Sequence, residues 1–199
     1  NIGSGAQSAY NSVDAPLWFF WCIQQYAYIN DARTEVWNMY SKVMKQILDT
    51  FSEGTDNVRM DSNFLLWQSQ EGKALTWMDA IVEGKPVTPR NGYAVEINAL
   101  WYNAVMFYRE LAELACSDGE SAKWDEFASV FPSSFKSTFW SKEKGYLADC
   151  VNGAERDFSV RCNMIFAVSM PYTCLSLKIR QLIVEKVKQE LLTPYGLRS

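Results

Sequence analysis

LTWMDAIVEGKPVTPRNGYAVEINALWYNAV, residues 75–105, divides into two parts with different physical signatures. Up to Asn91 there is no sustained apolar period, and Gly84, Pro86 and Pro89 punctuate the run, so this part reads as a loop. From Tyr93 to about Cys116 apolar residues recur at helical spacing, and Ser117-Asp118-Gly119 supplies the stop. Four polar residues interrupt that otherwise apolar helix: Glu96, Asn98, Tyr102 and Asn103. Glu96 and Asn103 lie two turns apart on one face, and Asn98 and Tyr102 one turn apart. Such a stripe, starting beside the loop, suits hydrogen bonding to a hydroxyl-rich ligand. It suits equally well a set of buried polar groups bonded to loop backbone.

Upstream, APLWFFWCIQQYAYI after Asp14 is apolar almost all round, as a helix packed on both sides requires. Asp14 is the expected N-cap and Pro16 falls in the first turn, where a missing N–H costs little. A second helix is expected from about Asp31 to Phe51, with Val36, Met39, Tyr40, Val43, Met44 and Ile47 at helical spacing. The unpatterned stretch from Thr55 to Asn91 is long for a connection inside a compact domain, and such stretches are usually functional. Downstream the pattern predicts a helix over about Ser121 to Trp140, interrupted at Pro132, and a strand or hairpin arm in GYLADCV with Asn152-Gly153 as its turn. Helices over Arg161 to Met170 and Leu175 to Leu192 follow, divided by Pro171. Helices in successive pairs imply an all-α fold. It is either an irregular bundle or part of a toroid of hairpins whose loops gather at one end as a pocket.

Composition narrows the chemistry. The 199 residues are 48% hydrophobic and 21% charged with a net charge of -4, an ordinary globular balance. No basic run or aromatic-basic stripe points to nucleic acid, and no apolar run reaches transmembrane length. Aromatic residues make up 15%, and rings spared from the core suit the C–H faces of sugars. There is no His, which removes Ser-His-Asp and Cys-His catalysis, HExxH zinc sites and imidazole ligands within the chain. The five Cys lack CxxC spacing, so no zinc ribbon or disulfide framework is indicated, and buried thiols of the cytosol are expected. No metal or cofactor is expected. Asp79 stands beside Trp77 and Met78, and apolar surroundings favour the protonated carboxyl that a general acid needs. Lys85 and Arg90, near in sequence, act in the opposite sense.

These segments resemble the signature of the bacterial and archaeal glycogen-debranching family, the amylo-α-1,6-glucosidases. The matching stretches are TWMDA (76–80), PVTPR (86–90) and AVEINALWYNA (94–104). YNSVDAPLWFFW (10–21), GYLADCVNG (145–153) and LLTPYGLRS (191–199) join them, so the likeness runs in order from end to end. A weaker likeness to neutral invertases, through the WMD loop and the E-I-x-A-L helix, points to the same (α/α)6 clan. Two places depart from the family pattern: Arg161-Cys162-Asn163-Met164 stands where R-P-N-Q is usual, and Asp61-Ser62-Asn63-Phe64 where Asp-Gly-Leu-Leu is usual.

The resemblance implies an (α/α)6 toroid of helical hairpins, about half of it within residues 1–199 as one truncated domain. Its substrate would be glycogen or a branched α-glucan, cleaved at α-1,6-linked glucosyl stubs by an inverting pair of carboxylates. Asp79 would be the general acid and Asp14 would bind the departing glucose. Trp18 and Trp77 would stack, and Arg90, Glu96, Asn103 and Arg161 would line the pocket. The water-activating base is expected beyond Ser199, ahead of Glu83, Glu96 and Asp149 within the chain. Two alternatives stay open: a non-catalytic α-glucan-binding module, and another (α/α)6 hydrolase of the neutral-invertase kind. Oligomeric state is not legible.

Overall fold

The computed structural model describes residues 12–198, so the opening segment and residues 10–11 of the first motif lie outside it. In chain order the helices are α1 (Asp14–Ile29), α2 (Arg33–Glu53), α3 (Val95–Leu114), α4 (Asp118–Ala122), α5 (Asp125–Phe139), α6 (Phe166–Ser169) and α7 (Leu177–Glu190), with a 3-10 turn at Cys162–Ile165 leading into α6. The centre is α3, buried at almost every position from Val95 to Val105. It packs against α1, α2, α4, α5 and α6, which explains why its sequence is apolar on all sides. In α5, Phe127, Phe131, Phe135 and Phe139 recur every fourth residue and bury one continuous face. That ladder spans both sides of Pro132, and the helix runs through the proline instead of breaking there. Among the described residues no helix is long and apolar enough to cross a membrane.

The start of α1 corrects the expected cap. Val13 is the N-cap and Asp14 the first helical residue. Cap chemistry comes from Ser12, whose Oγ accepts from the Ala15 N–H (3.2 Å) and donates to Asp14 Oδ1 (2.8 Å). The Val13 N–H donates to the Leu75 carbonyl (2.9 Å), which ties this helix start to the segment just ahead of Asp79.

The all-α expectation needs a second correction, because short antiparallel hairpins fill the loops. β1 (Val58–Met60) pairs with β2 (Leu66–Gln68), and β3 (Ile81–Val82) with β4 (Lys85–Pro86). β5 (Tyr93–Ala94) joins β8 (Cys150–Asn152) and β9 (Glu155–Asp157) in a three-stranded sheet. β6 (Trp140–Ser141) pairs with β7 (Tyr146–Leu147), and β10 (Leu192–Thr193) with β11 (Gly196–Leu197). Strands of two or three residues are too short to display a period of two, so no alternation announced them. The β3–β4 turn is made by Glu83 and Gly84, both at positive φ (50° and 75°), the geometry of a type I′ turn. The arm expected over Gly145 to Val151 divides between β7 and β8, which belong to different sheets, and the turn after β8 is Gly153-Ala154 in place of Asn152-Gly153.

Gly92 is where the three-stranded sheet meets β2. Its N–H and C=O bond Gln68 on one side, and a Cβ at this residue would lie 2.3 Å from the Val151 carbonyl oxygen on the other. With φ at 111°, only glycine satisfies both the conformation and the approach.

Candidate functional site

α3 emerges directly from β5, and its first free N–H, that of Val95, donates to the Asp149 carbonyl (3.1 Å). Glu96 therefore sits in the first turn, where the helix dipole favours a carboxylate, and is buried. Arg90 lies against it with all five N–H groups used. Nη1 and Nη2 grip the two Glu96 oxygens (2.6 Å for Nη2 to Oε2), and Nη1 also reaches Thr76 Oγ1 (3.4 Å). Nε donates to Asp149 Oδ2 (2.8 Å) and Nη2 to the Asp149 carbonyl (3.0 Å). Burial opposes the Arg90 charge, but Glu96 and Asp149 outweigh it and hold the guanidinium charged. Burial pushes the Glu96 carboxyl up, against the pull of Arg90.

Asp149 is the hub of this cluster. Arg161 Nη1 donates to its Oδ2 (2.7 Å) and to Asp157 Oδ2 (2.6 Å). Asn163 Nδ2 donates to its Oδ1 (2.7 Å). Partial burial raises the Asp157 carboxyl, yet bonds from Arg161 and Ser159 bring it down to about 2. Burial, helped by the Asp149, Glu96 and Asp157 charges and opposed by Arg90, pushes the neighbouring Cys150 thiol up to about 12, so it stays protonated. The cluster reaches the Asp79 loop through Asn163, whose Oδ1 accepts from Trp77 Nε1 (2.9 Å).

Trp77 and Asp79 are exposed, Trp77 at 41%. Asp79 thus stands on an open rim rather than in the apolar enclosure expected of it. Behind it, Thr88 Oγ1 donates to the Met78 carbonyl (3.3 Å) and the Val87 N–H to the Ala80 carbonyl (2.9 Å). A cleft of about 250 Å³ between Pro89, Asn91, Cys150, Asn152, Glu155 and Asp157 adjoins the cluster. A larger one of about 470 Å³ follows the start of α1 beside Pro16, Phe51 and Val58. Asp79 lines neither.

Of the residues singled out in the sequence, Arg90, Glu96 and Arg161 come together around Asp149, and Trp77 joins them through Asn163. Asp14 is buried at the start of α1, which the Val13–Leu75 bond holds beside the same loop. Trp18 is half-buried on α1, edge-on to Trp21 and Phe166. Asn103 stands apart: its Nδ2 donates to Gln24 Oε1 (2.8 Å) and its Oδ1 accepts from the Tyr172 N–H (3.1 Å), which joins α1, α3 and the loop before α7. Asn98 pairs with both backbone groups of Leu66, and Tyr102 stacks on Phe127 and Phe131. Asn98 and Asn103 thus spend their amides inside the protein, whereas Tyr102 is half-buried and contributes its ring. Both oxygens of Glu96 and of Asp149 are engaged, so neither is placed to activate water, while Glu83 sits exposed at the β3–β4 turn. Thr76 and Asp157 had no place in the sequence reading. For Asp149 the available signal was a charged residue inside an apolar run, which demands a partner when buried.

The sequence matches the amylo-α-1,6-glucosidase family over residues 1–199. Comparison with curated protein sequences finds no match. Among solved structures, the fold is similar to the crystal structure of a GH78 family rhamnosidase from Bacillus sp. GL1. The TM-score is 0.61 at 18% identity, over 96% of this chain and 19% of that one, so the chain spans about a fifth of that protein's length. At that identity the likeness is one of fold.

Proposed function

The chain belongs to the amylo-α-1,6-glucosidase family, and from that premise we propose that it carries the proton-donating part of a glycosidase active site acting on α-1,6-linked glucosyl stubs of glycogen or a branched α-glucan. The observation that supports this best is the reach of the buried Arg90–Asp149–Asn163 network to Trp77, which holds the Asp79 loop while leaving the Asp79 carboxyl and the Trp77 ring open to a ligand. In this reading a sugar stacks on Trp77 and covers Asp79, giving its carboxyl the water-poor setting in which a general acid works. Asp79 protonates the glycosidic oxygen as the bond to the anomeric carbon breaks, and Asp14 binds the glucose that leaves. Inversion requires a second carboxylate about 6.5–9.5 Å away to draw a proton from the attacking water. Glu96 and Asp149, saturated by arginine and amide donors, are set aside for that role. The helix pairs form part of an (α/α)6 toroid, with the Asp79 loop at its pocket end.

The test is Asp79→Asn in the full-length protein. Glucose release from a branched dextrin should fall by about three orders of magnitude or more, as removal of a catalytic carboxyl implies, with dextrin binding retained. Unchanged turnover would sink the assignment. Turnover on sucrose instead of dextrin would transfer the site to the invertase-like alternative, and dextrin binding with no turnover by the wild-type protein would favour a binding module.

A further inference from the structure

Asn163 is fully buried at the start of the 3-10 turn, and both halves of its amide have dedicated partners. Its Oδ1 accepts from Trp77 Nε1 at 2.9 Å, while Nδ2 donates to Asp149 Oδ1 at 2.7 Å and lies 3.3 Å from Met78 Sδ. An indole can only donate and a carboxylate can only accept, so the two neighbours independently demand the same amide orientation. Asp149 is itself immobilised by Arg90 and Arg161 on its other oxygen. The two residues held by Asn163, Trp77 and Met78, immediately precede Asp79.

We propose that Asn163 is the positioning residue of the Asp79 loop and that Asp149 acts by orienting Asn163, not by reacting itself. An amide meets the demand without taking up a proton. An Asp at 163 would set two carboxylates face to face, and an apolar residue would leave the indole N–H and an Asp149 oxygen without a partner. Loosening this clamp lets Asp79 drift from the glycosidic oxygen, and displacement of about 1 Å costs about 100-fold in rate. The catalytic consequence rests on the proposed role of Asp79. The clamp itself does not, and it can be measured without turnover.

The experiment uses the full-length protein labelled with 5-fluorotryptophan, with the Trp77 ¹⁹F resonance assigned by its loss in Trp77→Phe. In Asn163→Ala the Trp77 resonance should shift and sharpen while the other tryptophan resonances hold, and kcat/KM on branched dextrin should fall about 100-fold. Asn163→Asp alone should behave alike. Combined with Asp149→Asn it keeps an acceptor facing Trp77 and restores a donor–acceptor pair behind it, so the Trp77 resonance should return toward its wild-type position and activity should recover. An unmoved Trp77 resonance in Asn163→Ala would overturn the proposal, as would all tryptophan resonances moving together, or an exchanged pair no better than Asn163→Asp. If Asp79→Asn proves fully active, the catalytic reading fails while the Trp77 resonance still decides the clamp.

Discussion

Replacing Arg90 by Met tests the charge cluster most directly. The side chains of Arg90, Glu96 and Asp149 are 3%, 1% and 1% exposed, so water cannot compensate for a lost partner. Removal of the guanidinium strips Glu96 of both its side-chain donors, whereas Asp149 keeps Arg161 and Asn163. One carboxylate is therefore stranded, and breaking a buried pair in this way costs about 3–5 kcal/mol. In a chain of this size each kcal/mol corresponds to about 2–4 °C, so Tm should fall by about 6–20 °C. The deficit should depend on pH. Burial already pushes Glu96 above its ordinary value of 4.5, and without Arg90 the folded variant takes up a proton more readily than the unfolded chain. Its stability relative to wild type should therefore improve as pH falls toward 4.5. A companion, Arg90→Met with Glu96→Leu, removes both charges and should recover at least half of the loss. Calorimetry at pH 7 and pH 5 reads all three. A loss below about 1 kcal/mol, or a double variant no more stable than the single one, would refute the reasoning.

Gly92→Ala should destabilise by about 3 kcal/mol or more, because a left-handed φ and a backbone clash with Val151 coincide there, and a urea titration with an unshifted midpoint would contradict this. Asp157, held at about 2 against an ordinary 3.8, favours the folded state above pH 4 and loses that contribution as pH falls through 2. Unfolding midpoints measured between those pH values should fall more steeply in the wild type than in Asp157→Asn. Added salt should narrow the gap, since the Asp157 side chain is 39% exposed and its ion pair is screened.

What the sequence made legible follows from how much burial each element carries. α3 is covered on several sides, so its apolar residues continue through whole turns and its position could be read directly. α1 is buried along one face, with Cys22, Tyr26 and Ile29 exposed on the other, and is less enclosed than its apolar sequence implied. The hairpins at 81–86 and 192–197 were not readable, because β3, β10 and β11 are largely exposed and their pairing rests on turn geometry and backbone bonds. Pro132 misled for the opposite reason: the propensity against an internal proline is local, and the phenylalanine ladder burying α5 on either side outweighs it.

Within the site, spacing identified faces but not partners. Glu96 and Asn103 do share a face of α3, yet two turns separate them by about 10 Å, and that distance divides a charge cluster from an interhelical amide clamp. Arg90 is instructive for the same reason. As a surface residue it would be a plausible hydrogen-bond donor to sugar hydroxyls, but a buried guanidinium needs every N–H paired, and Glu96, Asp149 and Thr76 supply all the acceptors. It has nothing left to offer a ligand. The residues gathered here therefore separate into a saturated interior, built from Arg90, Glu96, Asp149 and Asn163, and a rim where Trp77 and Asp79 face solvent. On the proposed reading recognition and proton transfer belong to that rim. The interior, which holds most of the charge, contributes by keeping the rim in one place.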